Sequence, residues 1–242
     1  MKHLLFLTII AISATISSCK KDKKCPDITP ILIEQEMKDW IVFQTGSYWI
    51  YIDSITGAYD SVYVTSTYYD TLNILHSDLF RNSDSKCIIQ SHQEIDIEYE
   101  TSSGIKYAVG GSYGFGSGVS NNINPVNGSS SIVNLNHAGG DGGYSHYMYF
   151  PVLQGTVGAW NGFTIITHDT LFATFKVFDK TYQNVLLVSD GYNSAVNAIT
   201  KYYHAKHIGV VRKEIYKFKG FHDKDPLELL HVWELADYKV IQ

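Results

Sequence analysis

The sequence has no excess of basic residues: 19 Lys and Arg stand against 24 Asp and Glu, for a formal net charge of −5. That balance gives no general electrostatic pull towards nucleic acid. Nor does it have an apolar run long enough to span a bilayer comfortably. The first such run, Leu4 to Ile16, is only about a dozen residues. There is no βαβ rhythm, no long amphipathic helix and no clean internal repeat, which speaks against a parallel α/β architecture. Only three cysteines occur, Cys19, Cys25 and Cys87. No set of residues matches a standard metal site, and nothing implies a cofactor.

What is present is a chain of 242 residues, 45% hydrophobic and 18% charged, enough for one ordinary domain with a real core. Aromatic residues reach 14%, with 18 Tyr against 11 Phe. Tyrosine favours strands and suits half-wet surfaces, because its body is apolar and its tip hydrogen-bonds.

The N-terminus carries an address. Lys2 supplies a positive start, Leu4 to Ile16 an uncharged apolar segment, and together they read as a signal peptide. The run Ile16-Ser17-Ser18-Cys19 then resembles the bacterial lipobox, an apolar residue and two small ones before a cysteine. The resemblance implies that the Cys19 thiol receives a diacylglyceryl group, that residues 1–18 are removed, and that the new amino group is acylated. Two or three acyl chains hold a protein to a membrane durably, at ~0.8 kcal/mol per buried methylene. Lys20-Lys21-Asp22-Lys23-Lys24 follows as a solvated tether. By the family's sorting rule, Lys20 in place of Asp implies the outer membrane. The basic run favours the periplasmic face over the cell surface. With Cys19 acylated, Cys25 and Cys87 remain in an oxidising compartment; they form either a bridge or two separate thiols.

The organisation read from the sequence is a signal peptide over 1–18, a lipidated tether over 19–40, and a single β-rich domain over 41–242. Within the tether, Glu34 to Lys38 has the composition of one or two helical turns. Strand texture begins at Ile41. Tyr48 to Asp53 and Ser61 to Ser66 flank a turn at Thr56-Gly57-Ala58. In Glu94 to Thr101, Ile95 and Ile97 alternate with Asp96 and Glu98, the pattern of a strand with one wet face. Residues 110–143 are dominated by Gly, Ser and Asn and read as a flexible loop or insertion. The β texture resumes at Tyr144 to Phe150 and runs, through turns at Asp179-Lys180 and His207-Ile208-Gly209, to Leu229 to Val240. The fold class is mostly β: an antiparallel curved sheet, as a sandwich or an open barrel.

Three pieces, Gly46-Ser47-Tyr48-Trp49, Tyr149-Phe150-Pro151-Val152 with Trp160, and Tyr202 to Arg212, resemble small β-rich lipoproteins of Gram-negative bacteria whose function is not established. In the last piece Gly209 takes a φ > 0 turn position. This resemblance implies a fold and an address, and no activity.

Candidate chemistry is sparse. Gly110-Gly111-Ser112-Tyr113-Gly114 fits the G-x-S-x-G form of a nucleophile elbow. That elbow needs a helix straight after Ser112, and the following residues are Gly, Ser and Asn. Ser83-Asp84-Ser85-Lys86 fits S-x-x-K but lies in turn-like chain. His137, Asp141 and His146 flank the glycine-rich stretch without a standard ligand spacing. His204 and His207, three apart, point to opposite faces of a strand unless a turn intervenes. Asp223, Asp225 and Glu228 lack the glycine and full oxygen set of an EF-hand loop. The aromatics Tyr144, Tyr147, Tyr149 and Trp160 are the candidate ligand-binding residues, since sugar rings and acyl chains both bind exposed aromatic faces. Filling the core is their alternative role.

These readings lead to the expectation of a lipid-anchored, non-enzymatic envelope protein whose β domain binds a glycan, a lipid or an envelope partner. A purely structural spacer is the main alternative, and a serine hydrolase using Ser112 the third.

Overall fold

The computed structural model describes residues 25–75, except 26, 31 and 34, and then 88–102, 106–112, 131–137, 144–150, 154–155, 157–160, 164–193, 198–219 and 227–242. The chain divides into two units, a smaller one of residues 1–29 with 74–90 and a larger one of residues 30–73 with 91–242. In the smaller unit Cys25 is disulfide-bonded, and its partner lies outside the described residues. Among the described residues, no helix is long and apolar enough to cross a membrane.

The protein is mostly strand. Among the described residues one short helix, α1 (Gln35–Ile41), precedes twelve strands: β1 (Tyr48–Asp53), β2 (Tyr59–Leu75), β3 (Ile88–Thr101), β4 (Lys106–Ser112), β5 (Ser131–His137), β6 (Tyr144–Phe150), β7 (Val157–Trp160), β8 (Thr164–Val177), β9 (Lys180–Asn193), β10 (Ala198–Ala205), β11 (Gly209–Phe218) and β12 (Leu227–Lys239). They form one antiparallel sheet in the order β6-β5-β4-β3-β2-β1-β12-β11-β10-β9-β8-β7. Two up-and-down meanders are therefore joined at the centre by the first and last strands.

The sheet curls as a half-barrel, so the open-barrel form of the expected fold is the one adopted. Covalent geometry gives the reason. β6 and β7 are the two outer strands, yet only seven Cα steps separate Phe150 from Val157. Those steps reach at most about 25 Å. Twelve flat strands would put the edges on the order of 50 Å apart, so the sheet must bend to bring them together.

α1 is too short to be stable alone and is held by burial. Met37, Trp40 and Ile41 share one face at i, i+3, i+4 spacing and are all buried. Gln35 Nε2 donates to Asp39 Oδ1 at 2.7 Å across one turn. Ile33, Val42 and Phe43 join the same core with Trp49, Ile95, Ile97, Tyr99, Val211 and Leu235. The stretch read as tether is thus too long at its C-terminal end: Ile33, Met37 and Trp40 are core side chains, because large apolar groups so closely spaced cannot be left in water.

A second correction concerns the stretch 110–143. β4 runs to Ser112, and β5 occupies Ser131–His137 inside the segment expected as a loop. β5 pairs with β4 and, over its whole length, with β6. Its apolar residues are only Ile132, Val133 and Leu135, so local composition understates it and cross-strand pairing defines it.

The turns explain several residues. Gly57 has φ 73°, and its N–H donates to the Asp53 carbonyl at 2.7 Å, closing the β1–β2 hairpin. Gly209 has φ 98°, as its turn position suggested, and a Cβ there would lie 3.3 Å from the Phe43 ring. Beside it the Trp49 indole donates to the Ile208 carbonyl at 2.6 Å.

Candidate functional site

The register of the central strands places six residues on one rung across the sheet: Asp53 (β1), Trp233 (β12), Lys213 (β11), Tyr202 (β10), Val188 (β9) and His168 (β8). They share the face of Trp49 and Tyr51, since Trp49, Tyr51 and Asp53 alternate along β1. Higher up, that face is apolar and packed with Phe43, Trp49 and Leu235. At this rung it turns polar.

Asp53 is the centre of the polar end. Its side chain is fully buried, and its carboxylate accepts four hydrogen bonds: from Thr56 Oγ1 at 2.6 Å, His231 Nδ1 at 2.7 Å, the Val232 N–H at 3.0 Å and the Ile55 N–H at 3.1 Å. Burial alone would raise its pKa, but these bonds outweigh it and hold the carboxyl at about 2. An ionised Asp53 can only accept, so the His231 Nδ1–H donates to it. Neutral His231 is then the Nδ1–H tautomer, with Nε2 as an acceptor. The imidazole is about one-third exposed (34%) and lies against Trp233, with ring centroids 6.2 Å apart and planes at 24°.

Further along the same face, Lys213 Nζ sits 5.7 Å from the Tyr202 ring centroid. Tyr202 lies 6.1 Å from His204 between ring centroids, and His204 and His168 are both buried. Burial first, and then the charge of His168, push the His204 pKa down to about 3, so it is neutral at physiological pH.

The other face carries a second network. Tyr59, Ile52, Glu234, Arg212 and Tyr203 form one rung from β2 to β10. Arg212 bonds both acids: Nε to Glu214 Oε1 at 2.8 Å and Nη1 to Glu234 Oε1 at 2.9 Å. Tyr216 donates to Glu214 Oε2 at 2.7 Å, and Ser54 donates to Glu234 Oε2. Burial and the neighbouring Glu214 carboxylate push the Tyr203 and Tyr216 phenols up to about 12, so both stay protonated donors.

The residues singled out from sequence fare as follows. Cys19 and Cys87 lie outside the described residues. Tyr144, Tyr147 and Tyr149 fall on β6 and Trp160 on β7, at opposite ends of the strand order; their side chains lie outside what is described. Ser112 is the last residue of β4, and the chain after it is likewise outside. So are residues 83–86, Asp141, Asp223 and Asp225, and the side chains of His137 and His146. A turn does intervene between His204 and His207: His207 has φ 66°, is exposed, and contacts Gln242 Oε1 at 2.9 Å, far from the buried His204. Among the described residues no group of three His, Cys, Asp or Glu is arranged to hold a metal.

Sequence reasoning missed Asp53, His231, Trp233 and the Arg212 network. Asp53 and His231 are 178 positions apart, and only the β1–β12 register brings them together. The one local signal was an acid ending a strand just before a Thr-Gly turn, the place where an Asp side chain caps backbone N–H groups. No family model, no curated protein and no solved structure matches this chain.

Proposed function

We propose that this is a lipid-anchored envelope lipoprotein whose β domain binds a ligand, as a non-enzymatic receptor, at the polar end of the Trp49 face. The address rests on Ile16-Ser17-Ser18-Cys19 after a short apolar leader, with lipid on Cys19 and the outer membrane, on its periplasmic side, as destination. With Cys19 acylated, Cys87 is the partner for the bonded Cys25. The observation that carries the binding reading is a fully buried carboxylate used to hold a part-exposed imidazole beside a tryptophan. A glycan, a lipid or an envelope protein are the ligand classes this allows.

Two hydroxyls next to this pair donate to carboxylates, Thr56 to Asp53 and Ser54 to Glu234. A spacer role is favoured by a separate observation: β2 exposes Tyr59, Tyr63, Tyr68 and Tyr69, the first at 72%.

The test of the address is Cys19→Ser in the native host. The wild type is expected in the membrane fraction with acyl chains detected on Cys19 by mass spectrometry. The variant is expected in the aqueous fraction. Equal partitioning of the two would end this reading.

A further inference from the structure

We infer that the Trp233–His231–Asp53 corner is a subsite for a neutral sugar. The Trp233 ring receives the C–H face of a pyranose, and His231 Nε2 accepts a hydrogen bond from one of its hydroxyls. This rests on the binding reading above and names its ligand class.

The first argument is that Asp53 has three donors besides His231. Thr56 Oγ1 and the N–H groups of Ile55 and Val232 already supply three donors to a carboxylate that is fully buried. A carboxylate fixed by the Ile55 N–H in the β1–β2 turn and the Val232 N–H on β12 orients the imidazole, and the imidazole's second nitrogen takes no part in that bond.

The second argument is the hydrogen-bond sense. With Nδ1–H donated to Asp53 at 2.7 Å, neutral His231 presents a lone pair at Nε2. Its complement is a donor, which a sugar hydroxyl supplies. An acyl chain supplies none and would strip water from Nε2 without replacing it. An anionic group meets the Asp53 charge directly behind the ring, and a carboxyl held at about 2 stays ionised at any physiological pH.

The third argument is the platform. Trp233 is half-buried between Asp53 and Lys213 on its own rung, and His231, two residues back on the same face, sits nearly parallel to it at 24°. A partly exposed indole beside an oriented polar nitrogen is the combination a pyranose uses, an apolar face with a hydroxyl at its rim. The partner strands fix both side chains, so little order has to be imposed on binding.

The test is titration of the full-length protein in detergent with xylohexaose, cellohexaose and chitohexaose, followed by calorimetry. At least one is expected to bind. Trp233→Ala is expected to weaken that binding by about tenfold or more. His231→Phe, which keeps a ring and removes the acceptor, is expected to weaken it by about tenfold, whereas His231→Gln, which restores an acceptor, is expected within about threefold of wild type. Thermal unfolding of each variant separates loss of the site from loss of the fold. Unaltered binding by folded Trp233→Ala and His231→Phe would overturn the site. If no hexasaccharide binds but anionic phospholipid vesicles carrying no sugar bind the Cys19→Ser chain, the sugar class is wrong and the binding reading stands. Binding of neither overturns both.

Discussion

The Trp49 face has two ends built from the same strands, and they obey opposite rules. At one end Trp49, Val211 and Leu235 meet α1 and Phe43, and the polar atoms present are spent on backbone carbonyls: the Trp49 indole on Ile208 and the Tyr51 phenol on Val210 at 2.9 Å. At the other end Asp53, His231, Lys213, His204 and His168 crowd within a few rungs. The apolar end loses nothing with pH and holds the fold together. The polar end has a cost in desolvated titratable groups that pure packing would not choose. Placing the two on one continuous surface lets rigid packing on one side fix the geometry on the other.

The largest effect expected from breaking the comparison is at the apolar end. Trp49→Ala removes a buried indole and its bond to Ile208, and is expected to cost about 3–5 kcal/mol. Chemical denaturation would show a lower midpoint with an unchanged slope. A cost below about 1 kcal/mol would mean that α1 and Phe43 do not depend on Trp49.

A second test sharpens the contrast through pH. His204 is held neutral, with its folded value near 3 against an unfolded value of 6.5. Between those values the unfolded chain binds a proton that the folded chain refuses, so stability falls as pH drops below about 6.5. Asp53 has a depressed folded value of about 2. Its contribution is complete above an unfolded value of about 3.9 and is lost as pH falls towards the folded one; the shift corresponds to about 2–3 kcal/mol. Melting temperature against pH is therefore expected to decline first below about 6.5 and more steeply below about 4. His204→Leu should flatten the first limb and Asp53→Asn the second. A wild-type curve level from pH 6.5 to 4 would refute the buried, neutral His204.

The smallest expected effect lies at the turn above the apolar end. Gly209→Ala puts a Cβ on a left-handed residue, 3.3 Å from the Phe43 ring. About 1–2 kcal/mol of destabilisation is expected. Because Phe43 stacks edge-on to Trp49 at 4.9 Å, Gly209→Ala combined with Trp49→Ala should cost less than the two alone added together. Strict additivity in the double mutant would separate the turn from the core.

How much of this was legible in sequence follows from the range of each cause. The alternation of Ile95, Ile97 and Tyr99 with Asp96, Glu98 and Glu100 announced β3, because a strand's two faces are written in adjacent letters. Gly209 announced its turn for the same local reason. β5 was hidden because its seven residues include only three apolar ones, and its partner β6 supplies the rest. The end of the tether was hidden because Met37 and Trp40 gain meaning only from the sheet they plug. The polar corner was hidden because Asp53 and His231 meet through strands from opposite ends of the chain, a matter of register and not of composition. Arg212 and Glu214 could be read as same-face neighbours, two apart, but the third member, Glu234, could not.

The pairing of β1 with β12 has a consequence for how the molecule is made. In most meanders the last strand synthesised is an edge, and losing it frays one side. Here β12, the latest strand in chain order among the described residues, lies at the centre. A polypeptide shortened before Leu227 would lack the middle of its sheet, leaving five strands on one side and six on the other with no ladder between them. Because β12 bridges the two halves, the full sheet cannot form until Leu227–Lys239 has been synthesised.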